Sequence, residues 1–136
     1  MYASNGAAQY RAVRGQGVVG AATPTRLIQV ALEGVLSHLA IAQGCMERIQ
    51  GNLPLAEVTA KCNAIHKAVL LLGHLDECLD RERGGEVADN LHKLYQYMLG
   101  RLTEANAGND AAIVREVADL VRTLKSGWDQ LVAEGR

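Results

Sequence analysis

The residues best suited to chemistry are two cysteine–histidine pairs with a spacing of four. Cys62 with His66, and His74 with Cys78, would each lie on one face of a helix and could offer two ligands to a metal ion. The pairs are centred 12 residues apart, which is roughly 18 Å along a helix axis. They cannot form one tetrahedral site, and the sequence offers neither pair a third ligand nearby. The sequence therefore predicts no metal site and no cofactor.

A histidine on a helical bundle could instead accept a phosphoryl group. Phosphotransfer domains resemble one another in a His-x-x-Lys-Gly or similar run. Here His66 is followed by Lys67-Ala68-Val69-Leu70, and the other histidines match no better. Gly84-Gly85 lacks the spacing and the preceding strand of a phosphate-binding loop. With no positive evidence for catalysis, we expect a protein that is not an enzyme.

The overall charge argues against two classes of partner. Fifteen acidic and fourteen basic residues give a formal net charge of −1, which favours neither nucleic acid nor a membrane surface. We see no apolar run near the roughly 20 residues of a spanning helix and no signal-peptide pattern. The three cysteines are an odd number inside apolar patterns, as expected of reduced thiols in the cytoplasm.

Apolar residues recur at intervals of three and four in four stretches, which predicts amphipathic helices. The first should begin at Thr23-Pro24, with Thr23 as N-cap. The second should run from Pro54 to Gly84-Gly85, where glycine ends the helix. The third should stop near Gly108, and Asn109-Asp110 can cap the fourth. The predicted inward stripes are Ile28, Leu32, Val35, Leu39, Ala42, Met46 and Ile49; Leu55, Val58, Cys62, Ile65, Val69, Leu72 and Leu79; Val87, Leu91, Leu94, Tyr95, Met98, Leu102 and Ala105; and Ile113, Val117, Leu120, Leu124, Trp128 and Leu131.

Short connections between such helices predict an all-α fold, an antiparallel four-helix bundle. Residues 1–22 differ from the rest, since they contain four glycines and no acidic residue. We expect them to form a flexible N-terminal tail or cap. The domain organisation predicted is thus a tail over 1–22 and a helical bundle over 23–136.

Two tyrosines lie two residues apart on the predicted third helix, so they point about 200° away from each other. Tyr95 falls on the stripe of Leu91 and Met98 and should pack inside. Tyr97 should face outward, beside Gly100. Because an interior helical glycine costs roughly 1 kcal/mol against alanine, this outward aromatic could mark a place where another chain approaches the backbone. The alternative is a solitary surface tyrosine with no role.

Several short motifs occur together in a characteristic order. They are Thr23-Pro24 before Leu27-Ile28, Glu33-Gly34, Gly84-Gly85-Glu86-Val87-Ala88, Asn90-Leu91, Leu94-Tyr95-Gln96-Tyr97-Met98, Arg101-Leu102, Ala105-Asn106 and a late Trp128. In these motifs the chain resembles the FliS family of flagellar export chaperones, which hold flagellin in the cytoplasm. The resemblance covers nearly the whole chain.

This resemblance implies a function in binding. A member of the family binds the disordered C-terminal segment of flagellin, prevents premature polymerisation and delivers the subunit to the flagellar type III export apparatus. The implied partners are flagellin, components of the export apparatus and flagellar regulatory proteins. The residues implied at or beside the partner surface are Tyr10, Leu27, Ile28, Ala31, Asn90, Tyr95 and Tyr97. The tail would cover part of that surface, and Tyr10 would contribute to partner contact. A helical adaptor and a phosphotransfer bundle in signalling remain the alternatives.

Overall fold

The computed structural model describes residues 24–49 and 54–135. In this part of the chain four helices follow one another: α1 (Pro24–Arg48), α2 (Leu55–Glu77), α3 (Arg81–Gly108) and α4 (Ala111–Ala133). No strand occurs within the same residues. The predicted all-α class is confirmed. The predicted tail and the Thr23 cap lie outside the described residues.

The helices are arranged in a ring in which each packs against its neighbours in sequence. α1 lies between α2 and α4, and α3 lies between the same two helices on the opposite side. Gln29, near the start of α1, hydrogen-bonds to Asp129, near the end of α4. Asn109 at the end of α3 donates its Nδ2 to the carbonyl oxygen of Met46 at the end of α1, at 3.3 Å. Sequence neighbours are therefore antiparallel, as predicted for a four-helix bundle.

The core is aliphatic, and α1 contributes its full predicted stripe except the last residue. Every member from Ile28 to Met46 is buried, whereas Ile49 lies beyond the helix and is half-buried. Met98, Tyr95 and Trp128 are buried as predicted, and Leu91 packs partly buried against the same cluster. The largest fully buried side chains are Leu32, Leu39, Leu72, Met98 and Leu102.

The predicted stripe of α2 is wrong in part, because the helix is rotated from the expected orientation. Leu55 is 78% exposed, and Cys62 is also exposed. The buried face of α2 consists of Lys61, Ala64, Ile65, Ala68, Leu72 and Leu75. A lysine lies on this face at 6% exposure because its Nζ donates to the carbonyl oxygen of Asn106 at 3.0 Å. A pattern based on large apolar residues misses such a face.

The predicted end of α2 at Gly84-Gly85 is also wrong. α2 ends at Glu77, and Asp80 caps α3 by accepting a hydrogen bond from the backbone N–H of Arg83. Gly85 lies inside α3 with φ 55° and ψ −130°, and it bends the helix after its first turn. Glycine adopts this conformation without the Cβ clash that other residues meet. Val87, two residues after the bend, is 59% exposed, so its predicted inward position is wrong too.

The boundary between α3 and α4 is as predicted. Asn109 adopts a left-handed conformation (φ 52°) and closes α3. The Asp110 side chain then accepts hydrogen bonds from the backbone N–H groups of Ala112 and Ile113. These contacts satisfy donors that the first turn of α4 would otherwise leave free.

One described helix, α1, is long and apolar enough, by length and composition only, to cross a membrane. The expectation that no run approaches this length is wrong for α1. The core helix of a soluble protein passes the same test. The stripe of α1 from Leu32 to Met46 is buried against the other helices.

Candidate functional site: the groove between α3 and α4

An apolar groove of about 350 Å³ separates the beginning of α3 from the second half of α4. We call it the α3/α4 groove. The lining residues carry no ionisable group and are Val87, Leu91, Leu124, Gly127, Trp128 and Leu131. Val87 and Leu91 lie four residues apart on one face of α3. On α4, Gly127 and Trp128 follow Leu124 by three and four residues, and Leu131 follows it by seven, so all four lie on one face of that helix.

The groove presents apolar surface to solvent. Val87 is one of the most exposed large apolar side chains of the described residues, whereas Leu91, Leu124 and Leu131 are half-buried. The indole of Trp128 is buried and forms part of the groove wall. Leaving such a surface in water forgoes roughly 25 cal/mol for each Å² that a partner could cover.

Tyr97 lies farther along the α4 side of α3, at 47% exposure. Its hydroxyl donates a hydrogen bond to Oε2 of Glu116 on α4. Nε of Arg101 donates to Oε1 of the same carboxylate at 2.9 Å, and Arg101 also pairs with Glu104. This cluster links α3 to α4.

The cluster shifts the titration of its members. The hydrogen bonds from Tyr97 and then Arg101 lower the pKa of Glu116 below its usual range. The same hydrogen bond raises the pKa of the Tyr97 phenol. Tyr97 therefore stays neutral and Glu116 stays ionised at neutral pH, paired with Arg101. The exposed ring of Tyr97 therefore lies beside the Glu116 carboxylate, which is already paired with Arg101.

The predicted partner-binding residues fall into three groups. Asn90 and Tyr97 are exposed and, by helical spacing, lie on the α4 side of α3. Tyr95, at 2% exposure, belongs to the core. On α1, Leu27 and Ile28 are buried and Ala31 is half-buried against the core. Tyr10 lies outside the described residues.

A second groove runs between α2 and α3, and we call it the α2/α3 groove. Two adjoining cavities of about 320 and 350 Å³ share Val69 as a lining residue. Cys62, His66 and Asn106 line one cavity, and Leu70 and Gly73 line the other.

At the far end of α2, Asp76 accepts a hydrogen bond from Nε2 of Gln96 at 2.9 Å and contacts Nδ1 of His92 at 2.7 Å. Nε2 of His74 lies 3.7 Å from Sγ of Cys78. Within residues 24–49 and 54–135, no group of three or more His, Cys, Asp or Glu side chains is placed to share a metal ion.

By contrast, α1 packs more extensively against α2 and α4 than α3 does. Toward α4, the Gln29 side chain donates a hydrogen bond to Asp129, and Nζ of Lys125 lies 3.9 Å from Oε1 of Glu33. Toward α2, a Cβ placed on Gly34 would lie 3.2 Å from Cδ1 of Leu71, so these helices pack closely. The two grooves described above both border α3.

Sequence reasoning placed Asn90 and Tyr97 on the outward side of α3 but did not predict the α4 wall of the groove. Leu124, Trp128 and Leu131 were assigned to the core, and Gly127 was not considered. Gly127 lies in the interior of α4, where a glycine lowers helix stability. That local cost is the signal from which the position could have been found.

A bundle of amphipathic helices with open apolar grooves is the architecture of a helical binding protein. The model of the family described as flagellar protein FliS matches residues 6–135. The chain is 46% identical over 129 residues to the flagellar secretion chaperone FliSB of Pseudomonas aeruginosa, covering 95% of this chain and 97% of that protein. It is 36% identical over 132 residues to the flagellar secretion chaperone FliS of Salmonella typhimurium, covering 96% and 93%.

The chain belongs to the FliS family. Its relatives are named as chaperones, which is a non-enzymatic role. These matches confirm the family resemblance and the expectation that the protein is not an enzyme. They also support a role in flagellar secretion as an export chaperone.

Proposed function

We propose that this protein is a cytoplasmic chaperone that binds the disordered C-terminal segment of flagellin, prevents its premature polymerisation and delivers it to the flagellar export apparatus. The observation that carries the proposal is the α3/α4 groove, an open apolar surface on a chain of the FliS family. The flagellin segment would bind there as an amphipathic helix.

The physical basis is competition for one apolar face. A subunit end that assembles through an amphipathic helix must bury that face against other helices. A chaperone with an apolar groove between its own helices covers the same face and blocks assembly. The bound segment loses chain entropy on ordering, so a large contact area is needed for a given affinity.

The predicted residues have two kinds of role in this proposal. Tyr97 and Asn90 contact the bound segment directly, because both side chains are exposed on the α4 side of α3. The buried Tyr95, Leu27 and Ile28 support the surface from inside, together with the half-buried Ala31. They belong to or pack against the core cluster that also contains residues of α3 and α4.

The N-terminal segment 1–22 adds a regulatory element to the proposal. It would cover part of the partner surface, and Tyr10 would contact flagellin. A cover of this kind lowers the apparent affinity in proportion to the fraction of molecules in the closed state. Deleting residues 1–16 should change flagellin affinity and leave the melting temperature unchanged; unaltered affinity would remove the segment from the function.

Isothermal titration calorimetry tests the central proposal. Titrating the full chain with the C-terminal segment of the cognate flagellin, about 40 residues long, should give saturable 1:1 binding with a negative change in heat capacity, since apolar surface is buried. Absence of heat and of co-elution, with circular dichroism confirming a folded bundle, would contradict the proposal.

A second candidate function is that of an adaptor for other flagellar proteins. The observation that favours it is the α2/α3 groove, which lies on the opposite side of α3 and exposes Leu70. If the flagellin segment occupies only the α3/α4 groove, this second surface stays free for an export component or a flagellar regulatory protein. Simultaneous binding of flagellin and such a protein in size-exclusion chromatography would support the adaptor function.

A further inference from the structure

Gly127 is a glycine inside a helix, which lowers helix stability, although there is space at this position for a larger side chain. It lies in the interior of α4, is exposed, and lines the α3/α4 groove next to Trp128. A Cβ placed on Gly127 would meet nothing within 4 Å. No close packing inside the described structure therefore requires a glycine at this position.

Glycine has a second consequence besides its cost to the helix. Without a side chain, the backbone of α4 is the wall of the groove at this point, so a partner can approach it more closely than at any larger residue. The neighbouring Leu124 and Leu131 lie one turn away on either side and would flank a partner at this position.

The lining also restricts what can bind. It contains no ionisable side chain. An occupant that inserted a charge would lose hydration without gaining a partner. The occupant that fits is the apolar face of an amphipathic helix whose backbone passes close to Gly127.

We propose that Gly127 is a specificity-determining residue, at which the helix of the bound segment packs directly on the α4 backbone. This inference deepens the proposed function and rests on it. A methyl group at this position would hold the bound helix away from Trp128 and would lower affinity, whereas the same methyl group would stabilise the free protein.

The test compares Gly127→Ala with Gly73→Ala, a matched control. Gly73 also lies inside a helix with no atom within 4 Å of its hypothetical Cβ, but it lines the α2/α3 groove. Both variants should raise the melting temperature by about 3 °C, because alanine favours a helix over glycine. Only Gly127→Ala should weaken binding of the flagellin C-terminal segment, by about tenfold, since added volume in a packed contact is poorly tolerated.

Trp128 supplies a second readout, because it is the single tryptophan of the chain and forms part of the wall. A flagellin peptide without tryptophan should change the Trp128 fluorescence of wild-type protein and of Gly73→Ala, and less so that of Gly127→Ala at equal occupancy. Wild-type affinity in Gly127→Ala, or equal losses in both variants, would overturn the inference. Failure of the wild type to bind the peptide would instead overturn the proposed function.

Discussion

Nζ of Lys61 on α2 lies 3.0 Å from the backbone carbonyl oxygen of Asn106, in the last turn of α3. The lysine is one of the few buried polar residues of the described chain. Its hydrogen bond goes to a carbonyl group at the end of α3, where backbone carbonyl groups have no partner within the helix. The helix dipole also favours a positive charge at this end. This bond joins the interior of α2 to the end of α3.

Replacing this lysine should destabilise the bundle. Lys61→Met keeps the apolar stem but leaves the Asn106 carbonyl without its charged donor, which should lower the free energy of unfolding by about 1–3 kcal/mol. Urea denaturation followed by circular dichroism measures the change. The control is Lys67→Met on the exposed side of α2, which should have no measurable effect. Equal stability of the two variants would show that the buried bond contributes nothing.

Substitution of the two tyrosines of α3 should have different effects, one on flagellin binding and the other on stability. Tyr97→Ala should weaken binding of the flagellin segment with little change in melting temperature, because the ring is exposed and its hydrogen bond lies at the surface. Tyr95→Ala should cost about 3–5 kcal/mol of stability, since it empties a buried aromatic site. Calorimetric titration measures flagellin binding by both variants, and thermal melts measure their stability. A large loss of stability in Tyr97→Ala would contradict its place on the binding surface.

Two glycines of α3 should respond in opposite ways to alanine. Gly85→Ala should lower stability by about 1–3 kcal/mol, because the backbone has a positive φ that alanine adopts only with strain. Gly100→Ala should raise stability by about 1 kcal/mol, since Gly100 is exposed inside the helix with no atom near its hypothetical Cβ. Denaturation midpoints of the two variants provide the measurement. A stabilising Gly85→Ala would mean that the bend is not needed in solution.

Stability should decline in acid through two carboxylates that link helices. Hydrogen bonds from Gln29 and then Lys125 lower the pKa of Asp129, and those from Tyr97 and Arg101 lower the pKa of Glu116. A carboxylate whose pKa is lower in the folded state binds protons more readily when unfolded. Its stabilisation is complete above its ordinary pKa and is lost as pH falls through the lowered value.

The melting temperature measured from neutral pH downward should therefore fall in the acidic range. Asp129→Asn should be less stable than wild type at neutral pH, and its melting temperature should depend less on pH in acid. If the variant shows the same pH profile as wild type, the network around Asp129 does not contribute to acid sensitivity.

The sequence predicted much of this fold because the informative signals were local. The stripe of α1 is continuous, and Asn109-Asp110 supplied both a helix end and a helix start. The rotation of α2 was not predictable from apolar spacing, since a buried lysine is stable only when a carbonyl from a distant helix meets it. The position of Gly85 inside α3 was not predictable from the glycine alone. Asp80, five residues earlier, caps α3 and sets its start, whereas the glycine by itself predicts a helix boundary.

The candidate site was less accessible to sequence reasoning. Asn90 and Tyr97 could be selected from one helix, because the spacing on α3 separates outward from inward positions. The groove itself is a property of the distance between α3 and α4, and no single helix encodes that distance. Gly127 and Trp128 line a groove only together with the residues of α3 that form its other wall.

α1 packs more extensively against α2 and α4 than α3 does, and the two described grooves border α3. Most of the packing between the described helices therefore involves α1, away from these two grooves. Changes along the outward side of α3 can then adjust which protein is held without altering the contacts that keep the bundle folded. Such an arrangement allows recognition to diverge among related chains while the scaffold stays constant.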